Sequence, residues 1–230
     1  MKLSTVLFIV FCAGTLLVQV LVNLGFKKGY EDHLVFVKNQ VFPINDFPLE
    51  NIKVVIAKGV RFTLYVTPNQ QGFKQDVRPE GITFKAQGDT LFITSKDGKY
   101  HERNYFETYF HSVPNLILLN ANANIIANTE EELNTRIEKN SQLLIKQSSF
   151  RKINAEVRDK STLSFKADAT VDLLEVKLND SAVLSDNNAK ITKIVPIYIS
   201  DKASLSLSGK ALRTLHSLPP NAKSMYRLAS

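Results

Sequence analysis

The order of hydrophobic and polar positions divides the chain into an uncharged N-terminal run and a long region of short alternating segments. Leu3 to Phe26 carries no charged residue over 24 positions, and a helix of that length extends roughly 36 Å at about 1.5 Å per residue. A hydrocarbon core is about 30 Å thick, so the run predicts one transmembrane helix. The alternative is a cleaved signal peptide, but the small residues Ala13 and Gly14 lie inside the run, and an uncleaved anchor is favoured.

The alternating region is typical of β-structure. Ile52 to Val66 is rich in β-branched residues and alternates, and Ile82–Phe84 and Leu91–Thr94 predict two further strands. Gln87-Gly88-Asp89 lies between those two strands and predicts a hairpin turn. After residue 30 no apolar stripe keeps helical spacing for three turns, so we expect an all-β domain.

The second half of the chain contains an internal repeat. Each unit consists of an apolar residue, a polar turn, a small residue and a second apolar residue. The first apolar residues of five units give steps of 18, 20, 21 and 21, and they are Leu119, Ile137, Val157, Leu178 and Ile199. Units this short must stack to bury their hydrophobic side. The repeat therefore predicts a right-handed parallel β-helix with coils of about 20 residues, and an antiparallel sandwich is the alternative.

Stacking the units in this register predicts two interior ladders. One consists of Leu143, Leu163, Leu184 and Leu205. The other, where only a small side chain fits, consists of Ser141, Ser161, Ala182 and Ala203. A turn position is shared by Asp159, Asp180 and Asp201, with Lys139 and Ala121 in earlier units. We interpret these aspartates as left-handed turn residues, with a Ca²⁺ ladder and a catalytic carboxylate row as alternatives.

Composition and charge exclude several classes of protein. The net charge is +7, but the basic residues are scattered, which does not favour nucleic-acid binding. The single cysteine, Cys12, lies in the apolar run, so the folded domain has no disulfide framework and no thiol chemistry. There is no Gly-x-Ser-x-Gly elbow, phosphate-binding glycine loop or dinucleotide fingerprint. We expect no enzyme activity, no cofactor and no metal.

The stretch from Tyr100 to His111 holds further candidates for a binding surface. Aromatic side chains can stack on sugar rings, and the candidates are Tyr105, Tyr109 and His111, beside Asp159, Asp180 and Asp201. Two histidines with nearby glutamates raise the alternative of a metal site. Their spacing matches no closed ligand set, and the alternation is that of an ordinary strand.

Three segments carry a resemblance to a known family. They are Val55-Ile56-Ala57-Lys58-Gly59-Val60-Arg61-Phe62, Asp89-Thr90-Leu91-Phe92-Ile93 and Leu205-Ser206-Leu207-Ser208-Gly209. Together with the repeat, this pattern resembles the head GIN domain of auto-transporter adhesins, a domain of bacterial cell-envelope proteins. The resemblance implies a β-helical domain in the periplasm or outside the cell, and it supplies no catalytic residues.

These features predict four segments and a non-enzymatic role. The segments are a membrane anchor at 1–28, a connector at 29–50, a β-helix domain at 51–215 and a tail at 216–230. We expect a membrane-anchored envelope scaffold or adhesin-like domain, held by a single span and contacting an envelope protein or a glycan. The alternatives are a carbohydrate-active β-helix enzyme acting on an acidic polysaccharide and an assembly subunit of an envelope complex.

Overall fold

The computed structural model describes residues 41–42, 49–67, 72–74, 81–102, 105–216 and 226–228. The chain divides into two compact units, Met1–Val41 and Phe42–Ser230, and the fold below is that of the second unit. The predicted anchor, most of the connector and most of the tail lie outside the described residues. Within the described residues, we find no helix with the length and apolar character needed to cross a membrane.

Short strands make up most of the described chain, which has almost no helix. A 3₁₀ turn covers Leu49–Asn51 and one short helix, α1, covers Gly209–Arg213. The strands are β1 (Val41–Phe42), β2 (Val54–Lys58), β3 (Arg61–Val66), β4 (Gly72–Lys74), β5 (Ile82–Gln87), β6 (Thr90–Ser95), β7 (Tyr105–Phe110), β8 (Asn115–Leu119), β9 (Asn122–Ala127), β10 (Glu130–Glu138), β11 (Gln142–Ile145), β12 (Ser149–Val157), β13 (Thr162–Phe165), β14 (Thr170–Leu178), β15 (Val183–Ser185), β16 (Lys190–Ile199), β17 (Ser204–Leu207) and β18 (Tyr226–Leu228).

The strands form two sheets, and the chain alternates between them. The long-strand sheet has the order β16-β14-β12-β10-β8-β2-β6-β5. The short-strand sheet runs β4-β7-β3-β9-β11-β13-β15-β17-β18. Pairing is parallel throughout these stretches except where β5 meets β6 and β4 meets β7. A strand of the long-strand sheet and the next strand of the short-strand sheet together make one coil, and the coils stack.

The first two coils are stacked in reverse of their order along the chain. Strand β2 lies between β6 and β8, and β3 lies between β7 and β9. The coil β6–β7 is therefore outermost, although it follows β2–β3 in sequence. The antiparallel strands β5 and β4 pair with it there. They cover the edges that two parallel strands would otherwise leave open.

The predicted leucine ladder is confirmed. Leu143 pairs with Leu163, Leu163 with Leu184, and Leu184 with Leu205. All four side chains are buried. The parallel pairing contradicts the antiparallel sandwich. The predicted hairpin is also confirmed, because β5 and β6 pair antiparallel up to Gln87 and Thr90.

One predicted repeat unit was placed wrongly by one residue. The structure pairs Leu118, not Leu119, with Ile137, and Leu119 lies opposite Glu138. The first step is therefore 19 residues, and the turn position of this unit is Asn120 rather than Ala121. Leu118 is buried, whereas Leu119 is only half-buried. Two adjacent leucines look equivalent in a spacing argument, but a shift of one residue moves a side chain to the opposite face of the sheet.

Gly59 separates β2 from β3, which the alternating pattern had joined into one stretch. Its φ is +68°, in the left-handed region. A Cβ atom there would lie 2.5 Å from Ser95 Oγ and 2.8 Å from the carbonyl oxygen of Lys99. Its N–H donates to the carbonyl oxygens of Leu119 and Asn120 in the neighbouring coil. Only glycine fits this close approach between coils.

Hydrogen bonding, as well as size, determines which residues occupy the small-residue ladder. The N–H of Ala121 donates to Ser141 Oγ at 3.0 Å, and the N–H of Ser141 donates to Ser161 Oγ at 3.1 Å. The N–H of Ser161 instead donates to the carbonyl of Arg158 in its own turn, and that of Ala182 to Asn179. Serine therefore occupies this position where its hydroxyl accepts from the N–H of the preceding coil, as at Ser141 and Ser161. Alanine occupies it in the later coils, where the N–H of the preceding coil is bonded within its own turn.

Candidate functional site

The candidate residues Tyr105 and Tyr109 belong to a cluster on the outer face of the short-strand sheet. Tyr105, Glu107 and Tyr109 project outward from β7, and the neighbouring strand β3 places Arg61, Thr63 and Tyr65 directly opposite them. We call Tyr65, Tyr105, Tyr109 and Glu107 the tyrosine cluster. It forms because alternate residues of paired strands share a face.

Hydrogen bonds from the three tyrosine hydroxyls meet at one carboxylate. The hydroxyl of Tyr109 donates to Glu107 Oε2 at 2.8 Å, and those of Tyr65 and Tyr105 approach Glu107 Oε1 at 3.3 Å. The rings of Tyr65 and Tyr109 stack with centroids 5.0 Å apart. The guanidinium of Arg61 lies 5.9 Å from the ring centroid of Tyr105. The carboxylate therefore fixes the orientation of the rings.

The cluster holds its tyrosines in the neutral form. Burial, followed by the nearby Glu107 charge, raises the pKa of Tyr65 to about 12. Burial and the hydrogen bond to Glu107 raise the pKa of Tyr109 further. For Tyr105, burial raises the pKa, while the hydrogen bond to Thr63 opposes it. The tyrosines act as hydrogen-bond donors, and the arrangement is a rigid aromatic patch rather than an acid–base pair.

Among the described residues, no hydrogen bond or ring contact joins His111 to these tyrosines. His111 follows β7 in an exposed turn and is not part of the tyrosine cluster. Tyr109 is 8% exposed, so Tyr65 and Tyr105 provide most of the accessible ring surface. Sequence reasoning missed Tyr65, because its place beside Tyr109 depends on the β3–β7 pairing. That pairing joins residues far apart in the chain, so local alternation does not reveal it.

The second histidine of this stretch forms a different pair. Nε2 of His101 lies 2.6 Å from Oδ2 of Asp97, and both side chains are about half exposed. The hydrogen bond from His101, followed by the backbone N–H of Lys99, lowers the pKa of Asp97 to about 2. Across the described ranges, no group of three or more histidine, cysteine, aspartate or glutamate side chains is placed to hold a metal ion.

The three candidate aspartates lie in exposed turns, and two adopt the predicted geometry. Asp159 and Asp180 have φ of 55° and 54°, as expected of left-handed turn residues. Asp201 is not among the residues with positive φ, although its turn closes through the same kind of hydrogen bond, from Ala203 N to Ser200 O, as the other two turns. Asp159 and Asp180 line a shallow depression of about 410 Å³, whose lining also includes Tyr198.

A second surface, which sequence reasoning missed, is a groove on the outer face of the long-strand sheet. This long-strand groove has a volume of about 480 Å³ and is lined by residues of β8, β10, β12, β14 and β16. Two parallel rows of side chains form it. The amide row contains Asn115, Asn134, Asn154 and Glu175, and the charged row contains Ile117, Arg136, Glu156 and Lys177. Both rows follow from strand register. The repeat spacing could have indicated that register for β10, β12 and β14, but not for β8, where Leu118 and Leu119 both satisfy the pattern.

Most charges in the long-strand groove are paired. Lys152 Nζ lies 3.0 Å from Glu175 Oε2, linking β12 to β14. Arg136 pairs with Glu138, and Glu156 pairs with Arg158, whose Nε also lies 3.1 Å from Oε1 of Glu138. The bond with Glu156 is the main cause that raises the pKa of Arg158. These pairs order the charged side chains across neighbouring coils.

The amide row is ordered by hydrogen bonds between coils. Asn154 Nδ2 donates to Asn134 Oδ1 at 2.8 Å, and it also donates to Glu132. Register places Asn154 beside both Asn134 and Glu175. The row therefore repeats an amide on three successive coils and ends in the carboxylate of Glu175.

Compared with known proteins, the chain matches no family model, and neither a curated protein nor a solved structure is significantly similar to it.

Proposed function

We propose that the chain is a non-enzymatic, membrane-anchored envelope protein whose β-helix presents binding surfaces outside the cytoplasm. The observation that carries this proposal is that carboxylates on both outer faces are bonded to neighbouring side chains. Glu107 receives three tyrosine hydroxyls, Glu175 pairs with Lys152, and Glu156 pairs with Arg158. A general acid or base must reach a reacting group of the substrate, whereas these carboxylates hold neighbouring side chains in place.

Membrane attachment rests on the uncharged run from Leu3 to Phe26, which is long enough to span. The resemblance to the head GIN domain supports placing the β-helix, residues 51–215, in the periplasm or outside the cell. Right-handed winding of the coils is part of the proposal, because connections between parallel strands are overwhelmingly right-handed.

A second candidate is a carbohydrate-active enzyme that acts on an acidic polysaccharide. The observation that favours it is the depression lined by Asp159, Asp180 and Tyr198. Two carboxylates and an exposed aromatic ring in one depression resemble the components of a sugar-cleaving site. The left-handed φ values of both aspartates give each a turn-forming role as well, and for this reason binding is preferred.

The proposal is tested by fractionation of bacterial cells that express the full-length chain. We expect it in the membrane pellet after an alkaline carbonate wash, and we expect added protease to digest the β-helix once the outer layers are permeabilised. A variant lacking residues 3–26 is the matched control and should leave the membrane fraction. Recovery of the parent chain in the soluble fraction, or protection of the β-helix in sealed spheroplasts, would contradict the proposal.

A further inference from the structure

The long-strand groove offers polar groups that have no partner within the chain. Among the described residues, the Asn115 side chain, Asn134 Nδ2, Asn154 Oδ1 and Lys177 Nζ take part in no hydrogen bond or ion pair. The first three belong to the amide row, and Lys177 belongs to the charged row. Lys177 is exposed, and the groove around it is open to a ligand.

These unpaired groups lie along the direction in which the coils stack. In the charged row, Ile117 pairs with Arg136, Arg136 with Glu156, and Glu156 with Lys177. From β8 to β16 the groove crosses four strand spacings, or roughly 19 Å at about 4.8 Å each. A linear polymer laid along the stack would meet amide groups on three successive coils and then an ammonium group.

The lining of the groove distinguishes between classes of polymer. It contains three cationic side chains, Arg136, Lys152 and Lys177, and two anionic ones, Glu156 and Glu175, and Lys177 is the unpaired cation of the described lining. Single-stranded nucleic acid stacks its bases on aromatic side chains, and the described lining of the groove contains no aromatic residue. A protein partner usually places a large apolar anchor at the centre of its interface. The exposed apolar side chain of Ile197 lies instead on β16, and the half-buried Ile117 lies on β8. These are the outermost strands that line the groove.

We infer that the long-strand groove binds a strand of linear acidic polysaccharide, with its hydroxyls on the amide row and a carboxylate on Lys177. Amides offer both donors and acceptors to hydroxyl groups, and an ammonium–carboxylate hydrogen bond is stronger than a neutral one. The inference rests on the proposed binding role and assigns that role a ligand class. Glu156 and Glu175 are both paired, so the groove holds the polymer without cleaving it.

The test measures binding of the full-length chain, in detergent, to polygalacturonate and to neutral dextran by calorimetry. We expect binding to polygalacturonate that weakens with added salt and weaker binding to dextran. Lys177→Gln should lower the affinity about tenfold, as expected for loss of a charged hydrogen bond. Asn115→Ala should lower it less. Lys166→Gln removes the same charge from an exposed corner after β13 and should leave the affinity unchanged.

Each other outcome overturns a defined part of the inference. If polygalacturonate does not bind, or if Lys177→Gln and Lys166→Gln bind it with equal affinity, the groove is not the polysaccharide site. Neither result bears on the envelope role, which the fractionation experiment tests. If a single-stranded oligonucleotide competes as well as polygalacturonate, the ligand class is nucleic acid and not acidic polysaccharide. Shortening of the polymer by the parent protein would contradict the non-enzymatic role. The affinities of the variants would still show whether the polymer binds in the groove.

Discussion

Thr135 is a buried polar residue whose hydroxyl is not hydrogen-bonded. Its Oγ1 is inaccessible to solvent and has no partner among the described residues. On β10, Thr135 pairs with Leu116 and Ala155 at an inward-facing position. A buried donor without a partner costs free energy that an apolar group of the same shape avoids.

We therefore expect Thr135→Val to stabilise the protein. The free energy of unfolding should rise by roughly 1 kcal/mol, since valine has the same shape and no hydroxyl to desolvate. Denaturant unfolding followed by circular dichroism measures the difference. Thr162→Val, at a half-buried position on β13, is the control and should change little. A loss of stability in Thr135→Val would mean that the hydroxyl has an acceptor.

The tyrosine cluster predicts a pH dependence at alkaline pH. Because the folded-state pKa of Tyr65 is raised to about 12, its contribution to stability is complete below the unfolded value of about 10. That contribution is lost as the pH rises from there through 12. An ultraviolet titration of tyrosinate absorbance should show late-ionising tyrosines in the folded protein.

Two variants distinguish ionisation of the cluster tyrosines from general unfolding of the protein at alkaline pH. Tyr65→Phe should remove one late-ionising group and reduce the fall in unfolding free energy above pH 10. Glu107→Gln should lower the ionisation range of the remaining cluster tyrosines, because it removes the nearby negative charge. If Glu107→Gln leaves the tyrosinate titration unchanged, the hydroxyls do not meet at this carboxylate.

At the scale of elements, the small-residue ladder joins neighbouring coils through serine hydroxyls. Ser161→Ala should leave the N–H of Ser141 without its acceptor and should lower the free energy of unfolding by about 1–3 kcal/mol. Ser164→Ala on β13 is the matched control, because its hydroxyl donates only a long bond, 3.4 Å, to a carbonyl oxygen. Equal losses in the two variants would show that the ladder is selected by size alone.

At the scale of the whole β-helix, stability depends on continuous contact between coils. Leu184 is fully buried between Leu163 and Leu205. Leu184→Asp would place a carboxylate in this ladder, and we expect a loss of more than about 4 kcal/mol with a large fall in melting temperature. Val183→Asp alters the adjacent, half-buried position of the same strand. A similar fall in that control would mean that the inward and outward faces of β15 are misassigned.

Much of the second half of this fold is predictable from the sequence. The interval of 20 to 21 residues identifies the stacked coils, because a unit that short must bury its apolar residues against a copy of itself. The Leu184 ladder follows from the same interval. The turn aspartates are predictable in part, since Asp159 and Asp180 adopt left-handed φ values but Asp201 does not. The choice between Leu118 and Leu119 is not, because both satisfy the local pattern.

By itself, the sequence determined the local and periodic features: the β-class, the coil length, the interior ladder and the small-residue positions. Those features depend on side-chain alternation and on contacts between successive repeats. Only the tertiary structure decided which non-successive strands meet. The pairing of β3 with β7 brings Tyr65 beside Tyr109, and the reversed order of the first two coils places β3, rather than β7, against β9. Such pairings join residues far apart in the chain, and their register is set by packing the whole stack rather than by any local pattern.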